Sequence, residues 1–146
     1  MGKRIISQAR GKGSLSYQAK KSAFIYRIRY PPIEGQAKII KILHSAAHSA
    51  PLVKMECSKG IFYNAAFDGA IEGQQISLGK EIQLGNVVSL KDIPTATRIF
   101  NIERNPGDGG KMVRTSGSSA MVHKHYEHNK TGVLMPNKKE VILDSQ

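Results

Sequence analysis

"LVKMECSKGIFYNAAF" occupies Leu52–Phe67. Two short runs rich in strand-forming residues, Leu52–Cys57 and Ile61–Phe67, flank "SKG", which supplies a tight reversal. That arrangement predicts a β-hairpin. The neighbouring segments have the same character: "AKIIKILH" (Ala37–His44) before it, "QQISL" (Gln74–Leu78) and "NVVSL" (Asn86–Leu90) after the glycine-containing turns "GAIEG" and "LGKEIQLG". Upstream, "FIYRIRY" places Phe24, Tyr26, Ile28 and Tyr30 on one face and Ile25, Arg27 and Arg29 on the other, a strand of period two stopped by Pro31–Pro32. No stretch carries a helical apolar stripe over three turns. Short strands with a turn about every 8–12 residues imply a small closed barrel over residues 24–90.

"KDIPTAT" (Lys91–Thr97) reads as a junction. Beyond it "RIFNIER", "KMVRT", "SAMVHKH", "TGVLMP" and "EVIL" form a second set of short strands over residues 91–146. They are joined by "NPGDGG", "SGS" and "PNKK". A small barrel normally needs one more strand to close, so this second set is expected to be incomplete. Residues 1–23 are rich in Gly, Ser, Gln, Lys and Arg without a sustained apolar period, and read as a basic extended arm, disordered when free. The fold class is therefore all-β: two small barrels in series behind a basic arm.

Charge carries the functional signal. The 146 residues hold 22 Lys plus Arg and 11 Asp plus Glu, a net charge of +11. Residues 1–33 contain eight of those cations and no acid. A second excess lies at residues 98–130. An acid-free tail and a separate basic loop are the electrostatic footprint of a nucleic-acid binder, which a charge kept only for solubility does not explain. No apolar run is long enough to span a bilayer and no apolar leader opens the chain, so neither a membrane nor a secretory route is expected. Cys57 is the single cysteine, which excludes an internal disulfide, suits a reducing compartment and reads as a small buried apolar residue.

The basic loop, Asn105–Ala120, reads "NPGDGGKMVRTSGSSA". It is not a nucleotide-binding P-loop. The position five before Gly110 is Asn105 rather than glycine, Met112 stands where magnesium needs a hydroxyl, and the following segment is β-rich. A backbone cradle for nucleic-acid phosphate fits better: glycines for close approach, Lys111 and Arg114 for charge, Ser116 and its neighbours for hydroxyl contacts. Expected phosphate contacts are Arg4, Arg10, Lys12, Lys20 and Lys21 on the arm, Arg27 and Arg29 as a stripe on the first strand, and Arg104, Lys111, Arg114 and Ser116 around the loop. His48 and Lys54 are secondary candidates. Tyr17, Tyr26 and Tyr30 have rings able to stack on bases, but Tyr26 and Tyr30 lie on the presumed core face and are expected in the core. His123, His125 and His128 form H-x-H-x-x-H, but no second ligand pair matches them, so no metal is expected. No nucleophile–base signature or paired carboxylate points to an enzyme or a cofactor.

"MGKRIISQARGKGS" at the N-terminus, "APLVKM" (Ala50–Met55), "LGNVVSLKDIPTATRIFNIERNPGDGGKMVRTSGSSA" (Leu84–Ala120) and "VLMPNKKEVIL" (Val133–Leu143) together resemble, in order, the L-two family of large-subunit ribosomal proteins, in its archaeal and eukaryotic branch. The resemblance covers essentially the whole chain and is most specific over Leu84–Ala120. It implies an OB-fold barrel followed by an SH3-like barrel, with basic extensions threading between ribosomal RNA helices. It also implies a cytoplasmic, ribosomal, non-enzymatic protein that binds large-subunit ribosomal RNA and neighbouring ribosomal proteins. Such a protein supports subunit assembly and association and helps shape the peptidyl-transferase region. The family usually continues beyond the point where this chain stops, so a separate chain supplying that part is a further expected partner. His48 stands where the family tends to have an arginine, in "AHS" (Ala47–Ser49). Ser119 stands where an aromatic is common. Two other readings stay open from the residues alone: a free-standing OB-type single-strand binder, and an SH3-like protein-interaction module.

Overall fold

The computed structural model describes residues 2–18, 20–32, 34–79 and 81–145. Lys80, in the turn expected before the fifth strand, and Gln146, at the expected unfinished end, lie outside them. Among the described residues the chain is all-β apart from a short helix, α1 (Ile6–Gly11), and three 3-10 turns. The strands are β1 (Gly35–Leu43), β2 (Leu52–Cys57), β3 (Gly60–Ala65), β4 (Gln75–Gly79), β5 (Val87–Val88), β6 (Arg98–Ile99), β7 (Ala120–Tyr126), β8 (Lys130–Leu134) and β9 (Glu140–Asp144).

The first sheet has the order β3-β2-β1-β4-β5. The predicted hairpin is β2–β3, with Leu52 opposite Ala65 and Cys57 opposite Gly60. On β1, Ala37 and Ile39 point inward and Lys38 and Ile40 outward. A bulge between Ile39 and Lys41 then shifts the register against β2. Ile39, Val53, Met55, Phe62, Ile76 and Leu78 form the core, with Tyr30 and Phe100 packed against it. Burying each large apolar side chain contributes roughly 1.5–3 kcal/mol. Cys57 is only half-buried, and its thiol donates to the Gly60 carbonyl.

The second sheet is antiparallel in the order β6-β7-β8-β9. Ile102, Ala120, Val133 and Leu143 form its core, with Leu90, Ile99 and Met112 alongside. "RIFNIER" joins the sheets, because Phe100 packs into the first core while Ile99 and Ile102 pack into the second. Beside it, the Asn101 amide donates to the Asn64 side-chain oxygen, both residues being buried.

Three expectations change. "FIYRIRY" is not a strand: only Ile28 forms a bridge, to Tyr63. The segment divides its backbone bonds, Arg29 N–H to the Tyr63 carbonyl and Tyr30 N–H to the Gly109 carbonyl, so no single ladder forms. Ile28 is buried, but Phe24 is 51% exposed. "KMVRT" likewise contributes a single bridge, Met112 to Ile102. The arm is not without structure either, since it forms α1 and two 3-10 turns. It buries no residue in them, so the physical premise, that it has no core of its own, is retained.

Candidate nucleic-acid interface

The glycine loop starts from two carboxylates. Glu103 accepts the N–H of Gly107 at 2.8 Å and that of Gly109 at 2.7 Å. Asp108 accepts the N–H groups of Arg104 and Asn105 through one oxygen, and that of Gly110 through the other, all at 3.1 Å. Five backbone donors around the loop are thus already satisfied. The expected backbone cradle for phosphate is therefore corrected: these donors face carboxylates of the loop itself. An Asp in a turn bonding nearby backbone N–H groups is ordinary turn chemistry. The acids at Glu103 and Asp108 were the signal for it in the sequence.

The glycines serve packing instead. Gly109 has φ +79° and Gly110 φ +86°. A Cβ on Gly109 would overlap the Arg29 side chain and approach the Tyr30 carbonyl oxygen to 3.1 Å. A Cβ on Gly110 would overlap the Asn101 amide. The loop can therefore lie flat on the Phe24–Tyr30 segment. Arg29 Nη2 donates to the Gly107 carbonyl at 3.2 Å, and Arg114 Nη1 to the carbonyls of Gly110 and Ile28 at 3.3 and 3.5 Å. Burial, with Glu103 and Asp108 next in effect, pushes the Tyr30 hydroxyl far above its ordinary range, so it stays a neutral phenol.

This docking creates a groove of about 550 Å³ lined by Lys21, Phe24, Tyr26, Arg27, Ile28, Arg29, His48, Asp108, Lys111 and Arg114. Six of the residues expected to bind phosphate meet there: Lys21, Arg27, Arg29, His48, Lys111 and Arg114. The single acid on the wall, Asp108, is occupied by the loop's own N–H groups. Arg29 and Arg114 each use part of their guanidinium to hold the loop. A guanidinium carries five N–H donors, so each keeps others for a ligand. Lys111 is exposed.

His48 is half-buried, with Nδ1 2.8 Å from the Ser45 hydroxyl and its ring 6.4 Å edge-on from Phe24. Burial first, and the Arg114 charge second, hold its pKa below the ordinary histidine value. It is therefore neutral at neutral pH.

The remaining candidates fall elsewhere. Arg4, Arg10, Lys12 and Lys20 are exposed along the arm, away from the groove walls. Arg104 lines a larger cleft between the two sheets, together with Glu103 and Pro106. Lys54 is half-buried on β2, opposite Tyr63 and Lys41. Ser116 is exposed, and its N–H donates to the Ser49 hydroxyl, which ties the glycine loop to the His48 loop. Phe24 and Tyr26 are the wall residues that the sequence reading missed. Period two had assigned both to the core.

The histidines of β7 have protein partners. His123 Nδ1 lies 3.1 Å from Glu140, whose carboxyl is held below its ordinary pKa chiefly by that bond. His125 places Nδ1 3.1 Å from the Thr131 hydroxyl and Nε2 2.9 Å from the Ile93 carbonyl oxygen. Among the described residues no group of three or more His, Cys, Asp or Glu could hold a metal.

Residues 83–146 match the family described as Ribosomal Proteins L2, C-terminal domain. The whole chain aligns with the large ribosomal subunit protein uL2 of Pyrobaculum aerophilum, at 37% identity over 153 residues and 62% of that protein's length. The uL2 protein of Korarchaeum cryptofilum gives 37% identity with the same coverage of both chains. That of Sulfolobus acidocaldarius gives 40% over 127 residues, 84% of this chain and 53% of the relative. Over its whole length this chain is similar to the L2 family of ribosomal proteins. It spans 53–62% of the length of these relatives. The glycine loop and its two carboxylates lie within the matched C-terminal domain, whereas Lys21, the Phe24–Arg29 wall and His48 lie outside it.

Proposed function

We propose that this chain is a structural constituent of the large ribosomal subunit that binds ribosomal RNA and takes no catalytic part itself. The observation that carries the reading is the groove. Five permanent cations from three separate parts of the chain converge on it, and both oxygens of its one acid, Asp108, are engaged by the loop's own N–H groups. Such a surface attracts a phosphate backbone without reading sequence. Residues 1–23 act as an RNA-threading arm, residues 24–90 as the OB-type barrel and residues 91–146 as the SH3-like unit. Arg4, Arg10, Lys12 and Lys20 supply further phosphate contacts along the arm, with Arg104, Lys54 and Ser116 at the margins. Neighbouring ribosomal proteins are its protein partners. Support for subunit association and for the peptidyl-transferase region follows from that position in the cytoplasmic ribosome.

Sedimentation of a cell extract through a sucrose gradient tests the reading. Co-migration with large subunits that survives moderate salt is the expected result. Recovery only in the free fraction would sink it. None of the described helices is long and apolar enough to cross a membrane, and the reading calls for none.

A further inference from the structure

The groove is not a uniform cationic surface. Its cations stand around two aromatic rings, Phe24 and Tyr26, on the floor and rim formed by the Phe24–Arg29 segment. Phe24 is 51% exposed although a core lies within reach of its neighbour Ile28, which is 8% exposed. The Phe24 ring meets the His48 ring edge-on, with centroids 6.4 Å apart. His48 is in turn pinned by Ser45. Tyr26 is braced from behind by Tyr63, ring centroids 4.9 Å apart. Two aromatics at the mouth of a cavity, with Arg27, Arg29, Lys111 and Arg114 around them, suit a flat ligand with anionic ends.

Resting on the ribosomal-RNA reading, we propose that this groove takes an unpaired nucleotide of the RNA. The base stacks on Phe24, against the Tyr26 side of the cavity, and the flanking phosphates lie on Lys111, Arg114 and Arg27. A continuous duplex keeps its base faces stacked inside the helix and offers no π-face to an exposed ring along its length. A splayed base has a π-face of its own, and stacking on an aromatic is tolerant of base identity. Cations alone would serve the duplex equally well, so the rings are what select for the unpaired base. The volume of about 550 Å³ is ample for one nucleotide.

The test uses the whole chain and two hairpin RNAs, one fully paired and one carrying a single bulged 2-aminopurine. The expected result is tighter binding of the bulged RNA, with quenching of 2-aminopurine fluorescence as the base stacks. Phe24→Ala should weaken the bulged complex roughly 5- to 100-fold, with little change for the paired RNA and no change in salt slope. Phe24→Tyr should restore the bulge preference. Because Phe24 is half exposed, thermal unfolding of both variants should match the parent, and a circular dichroism melt checks it. Equal binding of the two RNAs, or Phe24→Ala leaving the quench intact, overturns the proposal. If both RNAs then still bind with steep salt dependence, the ribosomal-RNA reading stands without it. If neither RNA binds, both readings fall together.

Discussion

At Gly109 the loop and the Phe24–Tyr30 segment meet backbone to side chain. Any Cβ there meets both a left-handed φ and occupied space. Gly107 has a similar φ of +82°, but a Cβ added there would have nothing within 4 Å. Gly107→Ala should therefore cost only the left-handed penalty, roughly 1–2 kcal/mol. Gly109→Ala should cost about 1–3 kcal/mol more, through overpacking. Denaturant unfolding of the two variants checks the difference, and equal costs would show that Arg29 yields freely. His48 gives a pH prediction. Its folded pKa is lowered by burial and by Arg114, so the unfolded chain binds the proton more tightly. Its contribution to stability is full above the unfolded value of about 6.5 and is lost as pH falls below that. The unfolding midpoint should drop on acidification from about pH 7 to about pH 5, and less so in His48→Gln. A proton titration of His48 should place its midpoint below the ordinary histidine value.

The elements divide by what holds them together. The inner half of β1 and the whole of β4 alternate between buried and more exposed positions, and β2–β3 is closed by a tight local turn, so period and turn chemistry predict them well. "FIYRIRY" has the same period but pairs with two different neighbours in turn, which local pattern does not encode. The glycine loop is an element of a third kind, folded around carboxylates rather than around apolar side chains. Glu103→Ala strips the acceptor from two loop N–H groups, one of them on the buried Gly109. The cost should be roughly 1–3 kcal/mol. Amide exchange at Gly107 and Gly109 should accelerate while exchange in β2 and β3 stays slow at matched stability. Protection unchanged at those two glycines would mean that the carboxylate does not hold the loop.

For the whole molecule, the proposed RNA binding turns on the number of phosphates the groove would neutralise. Lys111 is exposed and lines the groove, whereas Arg114 also secures the Ile28 and Gly110 carbonyls. Lys111→Ala should lower the salt slope of RNA binding by about one, with an unchanged melting temperature. Arg114→Ala should lower the slope by about the same and also loosen the loop. Filter binding across a salt series reads both, and an unaltered slope for Lys111→Ala would remove the loop from the RNA surface. Arg4, Arg10, Lys12 and Lys20 were as visible in the sequence as Lys111. The folded protein, however, brings only Lys21 of the arm cations considered to the groove.

Charge distribution, strand period and turn residues are properties of the chain read in order. They were enough to indicate an all-β protein with two strand sets, a basic arm and an RNA-directed charge. What a loop's N–H groups face is decided by residues brought together in space. Glu103 and Asp108 turn the glycines away from a phosphate-binding role, and the docking of Phe24–Tyr30 onto that loop assembles the groove. Phe24 and Tyr26 change from expected core to groove wall for the same reason. Alternation records that a face is apolar, but whether that face meets a core or a ligand depends on which distant segment packs across it.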